Sequence, residues 1–164
     1  MTQLDIVIED ERWQAHPLTR WAETGTRLAL DAARVPEGYE IVVMACDDPR
    51  IAALNAEFRG KAKPTNVLSW PAHDLAPLVP GEAPAKPPPP DGFDDALGDI
   101  ALSLDTLTRE ATEQEKPLEH HAIHLILHAT LHLLGYDHET DADAALMERI
   151  ETAALASIGI PDPY

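Results

Sequence analysis

The chain has 164 residues, of which 45% are hydrophobic, and a formal net charge of −17 at pH 7. That length suits one domain with a core of ordinary size. The negative charge argues against a protein that coats nucleic acid by bulk electrostatic attraction, although it does not exclude a local basic patch. No apolar run approaches the ~20 residues that a membrane span needs. A single cysteine and an N-terminal segment unlike a signal peptide predict a cytoplasmic protein with no membrane association.

Short apolar or β-branched segments alternate with segments whose apolar residues recur at helical spacing. We predict strands over residues 4–9, 39–46, 67–70 and 98–104. We predict helices over residues 18–33, 48–58, 106–116, 118–134 and 141–157. Asp48 is expected to cap the second helix, and Gly60 and Gly135 are expected to end the second and fourth. The sequence therefore predicts an α+β or mixed α/β fold, with a small mixed sheet layered with about five helices.

A proline-rich segment interrupts this pattern, with eight prolines between residues 71 and 90. Proline lacks a backbone donor and fixes φ, so an interior helix or strand is excluded here. We predict a surface insert over about 71–97 within a single domain of residues 1–164. A plain loop and a polyproline segment that docks a partner both fit this composition.

Three histidines, His128, His132 and His138, are predicted to form a catalytic metal site at the end of the long fourth helix. Side chains at i and i+4 share a helix face about 6 Å apart, so the first two can bind one ion. Gly135 permits the left-handed turn that would bring His138 back to them. Three protein ligands and a water are typical of catalytic zinc, whereas a structural site is closed by a fourth ligand.

A competing site would use His124, His128 and His132, which belong to an i, i+4 stripe along the same helix. The outer two would lie about 12 Å apart on a straight helix, which is too far for bonds of ~2 Å to one ion. We therefore favour the set that includes His138. Asp137 either orients a ligand histidine or is a simple exposed turn residue, and His73 is expected at the surface.

The spacing HxxxHxxGxxH is shared with metzincin proteases, in which glutamate follows the first histidine as general base. Ala129 occupies that position and cannot move a proton, so a metalloprotease is a minor alternative. A bound divalent ion also activates water towards phosphodiesters. Arg59, Lys61 and Lys63 form the one concentrated basic cluster of the sequence, which either binds a phosphate substrate or is a solvated turn.

The segment HATLHLLGYDH at 128–138 resembles the HGxLHLxGYDH signature of the YbeY family, bacterial endoribonucleases of ribosomal RNA maturation. Two further blocks agree in family order. LNAEFR at 54–59, followed by KPTNVLSWP at 63–71, is similar to LNxxFR…TDVLSFP, and LGDIALS at 97–103 matches the family's GDI strand. The resemblance covers nearly the whole chain, with Ala129 replacing the signature glycine and Trp70 replacing phenylalanine.

This resemblance implies a metal-dependent endoribonuclease, a hydrolase specific for single-stranded RNA. It implies that His128, His132 and His138 hold one zinc ion (nickel has been considered in the family) and that Arg59 faces the RNA. The implied role is 16S rRNA 3′-end maturation in ribosome biogenesis, together with ribosome quality control. The implied partners are ribosomal RNA, the small ribosomal subunit and maturation factors such as the GTPase Era. A non-catalytic ribosome-assembly factor with a structural metal is the main alternative.

Overall fold

The structure is a computed structural model that describes residues 2–164. Its strands are β1 (Gln3–Ile8), β2 (Glu40–Cys46), β3 (Val67–Pro71) and β4 (Ala96–Ser103). Its α-helices are α1 (Leu18–Ala33), α2 (Asp48–Arg59), α3 (Leu104–Glu113), α4 (Leu118–Leu133) and α5 (Asp141–Ala156), and a short 3-10 helix spans Glu11–Ala15. The predicted mixed sheet with about five helices is therefore confirmed.

The four strands form one mixed sheet in the order β1-β2-β4-β3. The first three strands are parallel, and β3 runs antiparallel to β4 at the sheet edge. Alternation along β2 sends its side chains to two cores. Ile41, Val43 and Ala45 join the main core with α1 and α4. On the other side, Cys46 packs with Ile51 of α2.

Helix α4 lies at the centre of the fold. Eleven of its 16 residues are buried, as expected of a helix that is covered on most sides. Gly25 of α1 faces it, and a Cβ atom at Gly25 would lie 2.6 Å from Ile126 Cγ2. The two helices therefore approach more closely than any larger side chain would permit. Despite its apolar composition, neither α4 nor another helix within residues 2–164 is long and apolar enough to cross a membrane.

The start of α2 differs from the prediction by one residue. The Asp47 carboxylate caps the helix by accepting from the Arg50 N–H at 2.9 Å. The predicted cap, Asp48, is wrong because its carboxylate is used elsewhere. It accepts from the hydroxyls of Ser103 and Thr106, each at 2.6 Å. Asp48 therefore ties α2 to the end of β4 and the first turn of α3.

The proline-rich segment between β3 and β4 has no helix or strand over residues 72–95, and it packs against the body of the protein. The Tyr39 hydroxyl donates to the Pro88 carbonyl at 2.7 Å, and the Lys86 ammonium donates to the Ala33 carbonyl. Leu75 and Pro87 are buried. These contacts favour a packed loop over a free docking segment. The loop is shorter than the expected 71–97, because its two ends belong to the flanking strands.

Gly25→Ala tests the close approach of α1 and α4. Alanine ordinarily favours a helix over glycine by about 1 kcal/mol, but here the new methyl group would overlap Ile126. Overpacking typically costs about 1–3 kcal/mol, so we expect the free energy of unfolding to fall by about 1–2 kcal/mol in urea denaturation. The control Arg27→Ala, at an exposed position of α1, should change it by less than about 0.5 kcal/mol. A more stable Gly25→Ala variant would contradict this packing.

Candidate metal centre

His128, His132 and His138, hereafter the three-histidine cluster, lie together at the C-terminal end of α4. The ring centroids of His128 and His132 are 4.5 Å apart. The His138 ring lies 5.4 Å from the first and 5.0 Å from the second. One ring nitrogen from each histidine lies within 4.8 Å of the other two, so the cluster could hold a metal ion. His124 does not belong to this group.

A glycine turn brings the third histidine to the other two. Gly135 has φ of 97°, the Gly135 N–H donates to the His132 carbonyl at 3.0 Å, and the Tyr136 N–H donates to the Leu131 carbonyl at 3.0 Å. This pair of bonds is the Schellman arrangement that reverses the chain after a helix. A Cβ atom at Gly135 would lie 2.7 Å from the Leu75 carbonyl oxygen. Both the backbone angle and the packed loop therefore require glycine here.

Hydrogen bonds behind two of the rings determine which nitrogens face the centre. His128 Nδ1 donates to Glu151 Oε1 and His132 Nδ1 donates to the Tyr136 carbonyl, each at 2.9 Å. Because these oxygens only accept, both Nδ1 atoms carry the proton. The Nε2 atoms are then acceptors when the rings are neutral, and they lie 3.0 Å apart. Two lone pairs at that distance repel each other unless a cation lies between them.

That spacing fits a metal ion. Two nitrogens bound at ~2.0–2.1 Å to a tetrahedral ion are about 3.3 Å apart, which is close to the observed separation. Burial and the neighbouring His128 lower the pKa of His132 to about 4. His132 is therefore neutral at pH 7, as a metal ligand must be. The donor set of imidazole nitrogens suits zinc, nickel or copper better than magnesium or calcium.

The three-histidine cluster opens into a cleft of about 600 Å³. Arg59 from the last turn of α2 lines the same cleft, although it lies far away in sequence. Asn66 and Ser69, from the loop before β3 and from β3 itself, add an amide and a hydroxyl. Lys61 and Lys63 are exposed and do not line the cleft. Of the predicted basic cluster, the structure thus brings only the arginine to the histidines.

Two carboxylates lie near the cluster, and only one of them is hydrogen-bonded to the ring of a ligand histidine. Asp137 Oδ1 lies 4.0 Å from His132 Nδ1, beyond hydrogen-bond distance, and accepts from the His138 backbone N–H at 2.8 Å. Glu151 of α5 contacts His128 instead. Glu151 lies four residues after Met147 and four before Leu155, and both of those side chains are buried. This spacing places Glu151 on the buried face of α5 and is the sequence signal that could have identified it.

His73 was expected at the surface. It is half-buried and lines the same cleft as the three-histidine cluster, which the sequence did not indicate. Its position follows from the packed loop, since the neighbouring Leu75 lies beneath Gly135. No periodic pattern in a proline-rich segment reports such a contact.

The low pKa of His132 predicts how the stability of the metal-free protein depends on pH. Its folded-state pKa of about 4 lies below the ordinary 6.5, so protonation favours the unfolded chain. The stability is fully present above about pH 6.5 and is lost as the pH falls towards 4. We expect the drop in thermal midpoint from pH 7 to pH 4.5 to be smaller in His132→Asn than in the wild type. His120→Asn, a half-exposed histidine of α4, is the control and should keep the full drop; an equal drop in all three proteins would contradict the assignment.

Comparisons with known proteins agree with the motifs. A family model described as "Endoribonuclease YbeY" matches residues 5–159. Proteins named "Endoribonuclease YbeY" from Paracoccus denitrificans and Dinoroseobacter shibae are 54% and 52% identical, over 98% of this chain and 89% and 90% of theirs. The solution structure of TM1509 from Thermotoga maritima shares the fold, with a TM-score of 0.56 at 18% identity, over 95% of this chain and 91% of that one. The chain belongs to the YbeY endoribonuclease family.

Proposed function

We propose that residues 1–164 form a single metal-dependent endoribonuclease domain that cleaves single-stranded ribosomal RNA. One observation carries this proposal: the three-histidine cluster and Arg59 line the same cleft. Family membership supplies the reaction class, because the relatives are named endoribonucleases. The motif resemblance supplies the ribosomal substrate.

His128, His132 and His138 would hold one divalent ion, which we assign as zinc, with nickel as the alternative. When bound, the ion supplies Lewis-acid activation of the attacking water and of the phosphoryl oxygen. Three protein ligands leave a coordination position for that chemistry, which argues against a purely structural metal. A protease is disfavoured because Ala129 is fully buried and carries no acid–base group.

Arg59 would bind the phosphate of the scissile bond. Its guanidinium is planar, permanently charged and able to pair with two phosphate oxygens at once. The side chain is exposed at the cleft wall, so a phosphodiester can reach it without a rearrangement of the core. Its charge would offset the negative charge that develops on the phosphoryl oxygens during attack.

Aromatic stacking would supply the RNA affinity that a net charge of −17 does not. Phe58 is 62% exposed, and its ring lies edge-to-face 5.1 Å from that of Trp70. Neither ring lines the cleft: Phe58 precedes the cleft residue Arg59 on α2, whereas Trp70 packs in the second core, on the face of β3 opposite to Ser69. Base–aromatic stacking contributes about 1–3 kcal/mol per base and does not depend on net charge. We therefore propose that the exposed Phe58 ring, supported by Trp70, stacks on a base of RNA that extends from the cleft past Arg59.

The finer biological assignment rests on the motif resemblance alone. We propose that the substrate is the 3′ end of 16S rRNA and that the protein also acts in ribosome quality control. The small ribosomal subunit and maturation factors such as the GTPase Era are its proposed partners, in the cytoplasm. Lys61 and Lys63 lie outside the cleft and would contact only RNA that extends beyond it.

Cleavage of a labelled single-stranded RNA by the zinc-loaded protein tests the proposed activity. Removing the phosphate-binding group by Arg59→Ala should lower kcat/KM by about 100-fold, and Arg59→Lys should restore only part of it, because lysine cannot pair bidentately. Lys61→Ala, outside the cleft, should stay within about twofold of the wild type. Undiminished RNA cleavage by Arg59→Ala would contradict the role assigned to Arg59. Cleavage of casein but not of RNA would contradict the proposed nuclease activity.

Phe58→Ala tests the stacking contribution separately. The loss of one stacked base should weaken single-stranded RNA binding by about 10-fold or more in fluorescence anisotropy. The salt dependence should be unchanged, whereas Arg59→Ala should reduce the slope of log K against log salt by about 0.7. Phe93→Ala is the control, because that ring is 94% exposed and, unlike Phe58, is not adjacent in sequence to a residue that lines the cleft. Equal losses in Phe58→Ala and Phe93→Ala would contradict a specific stacking site.

A further inference from the structure

A fully buried carboxylate lies directly behind the three-histidine cluster. Glu151 has no exposed surface. Its Oε1 accepts from His128 Nδ1 and from His124 Nε2, each at 2.9 Å. Its Oε2 accepts from the Tyr164 hydroxyl at 2.8 Å. Both oxygens are thus occupied by three donors, two of them from α4 and one from Tyr164.

Such a group is costly to bury. Removing a carboxylate from water has a penalty of several kcal/mol, and a hydrophobic residue in its place is often as stable or more so. Three hydrogen-bond donors, from His124, His128 and Tyr164, face its two oxygens, and this environment favours an ionised carboxylate. Glu151 therefore stays charged inside the protein. Packing of α5 against α4 does not by itself require a charge at this place.

The contact with His128 explains why a charged residue lies at this position. We propose that Glu151 is a positioning residue of the metal centre: it fixes the ring orientation and the Nδ1–H tautomer of His128, so that the Nε2 lone pair faces the ion. A negative charge behind the ring also makes Nε2 a better donor to a metal. This inference rests on the metal dependence proposed above. Glu151 would contact neither the ion nor the RNA, because it is fully buried and is not among the cluster or cleft-lining residues.

The other two contacts hold the carboxylate in place. His124 donates through Nε2, and its Nδ1 is buried without a partner among the described residues. Within residues 2–164, the one hydrogen bond of the His124 side chain is therefore directed at Glu151. This gives a function to a histidine that would otherwise be a competing ligand. Tyr164 closes the opposite side, with its ring 5.6 Å from that of His124.

The chain contains a matched control for this arrangement. His121, also on α4, is paired through Nε2 with Glu110 Oε1 at 2.9 Å. Both histidines lie on α4 and both contacts measure 2.9 Å, with Glu110 on α3 and Glu151 on α5. Glu110 also accepts from the Asn66 amide at 3.0 Å. His121, however, does not belong to the three-histidine cluster. A loss that Glu151→Gln shows and Glu110→Gln does not is therefore specific to the ligand histidine.

Zinc affinity of the full chain, measured by competition with a chromogenic chelator, is the decisive test. Glu151→Gln should bind zinc about 10- to 100-fold more weakly than the wild type, and Glu110→Gln should be unchanged. Circular dichroism of the metal-free proteins verifies that each variant is folded. Unchanged zinc affinity in a folded Glu151→Gln would overturn the proposal. A wild type that binds no zinc would overturn the metal dependence itself, which is a distinguishable failure.

The tautomer of His128 can be determined in the wild type, so the proposal remains testable if Glu151→Gln does not fold. Long-range ¹H–¹⁵N spectra of the metal-free wild type should show the proton of His128 on Nδ1. Tyr164→Phe, which removes only the donor to Oε2, should keep that tautomer while lowering zinc affinity less than Glu151→Gln does. A proton on Nε2 of His128 would overturn the proposal.

Discussion

The approach of two imidazole nitrogens to 3.0 Å at the end of α4 is the interaction on which the rest of the site depends. Each ring is held from behind by an oxygen that can only accept, so neither ring can rotate to relieve the contact without losing a buried hydrogen bond. The arrangement is unfavourable for two neutral rings alone and favourable around a cation. The orientation of these two side chains in the fold therefore favours the binding of a metal ion.

Several parts of the fold hold that orientation. Gly25 allows α1 to pack closely against α4, and Gly135 allows the chain to turn sharply in contact with Leu75 of the packed loop. Helix α5 carries Glu151 to the back of the rings, where a charge is tolerated only because three donors surround it. Gly25 and Glu151 do not line the cleft in which RNA would bind, whereas Gly135 does. Their common effect is to keep the inward nitrogens of α4 in place, which is the preorganisation that a catalytic metal site needs.

Much of this site could be predicted from the sequence because it is local. Helical spacing places His128 beside His132, and Gly135 accounts for the return of His138, so eleven consecutive residues define the cluster. Contacts between distant segments were not predicted. Glu151 was missed because its partner lies on another helix, whereas Asp137 was considered because it is adjacent in sequence to a ligand histidine. The same limit applies to His73, whose position depends on how a proline-rich loop packs.

Metal content is the most direct test of the central claim that the three-histidine cluster is one metal site. Wild-type protein loaded with zinc and dialysed should retain about one ion per chain, as three convergent imidazoles predict. The His138→Ala variant removes an exposed ligand from the turn after α4 and leaves the helix itself unchanged. It should lose most of that zinc while its circular dichroism spectrum is unchanged. Undiminished zinc in His138→Ala would contradict the account and would move the site to His124, His128 and His132.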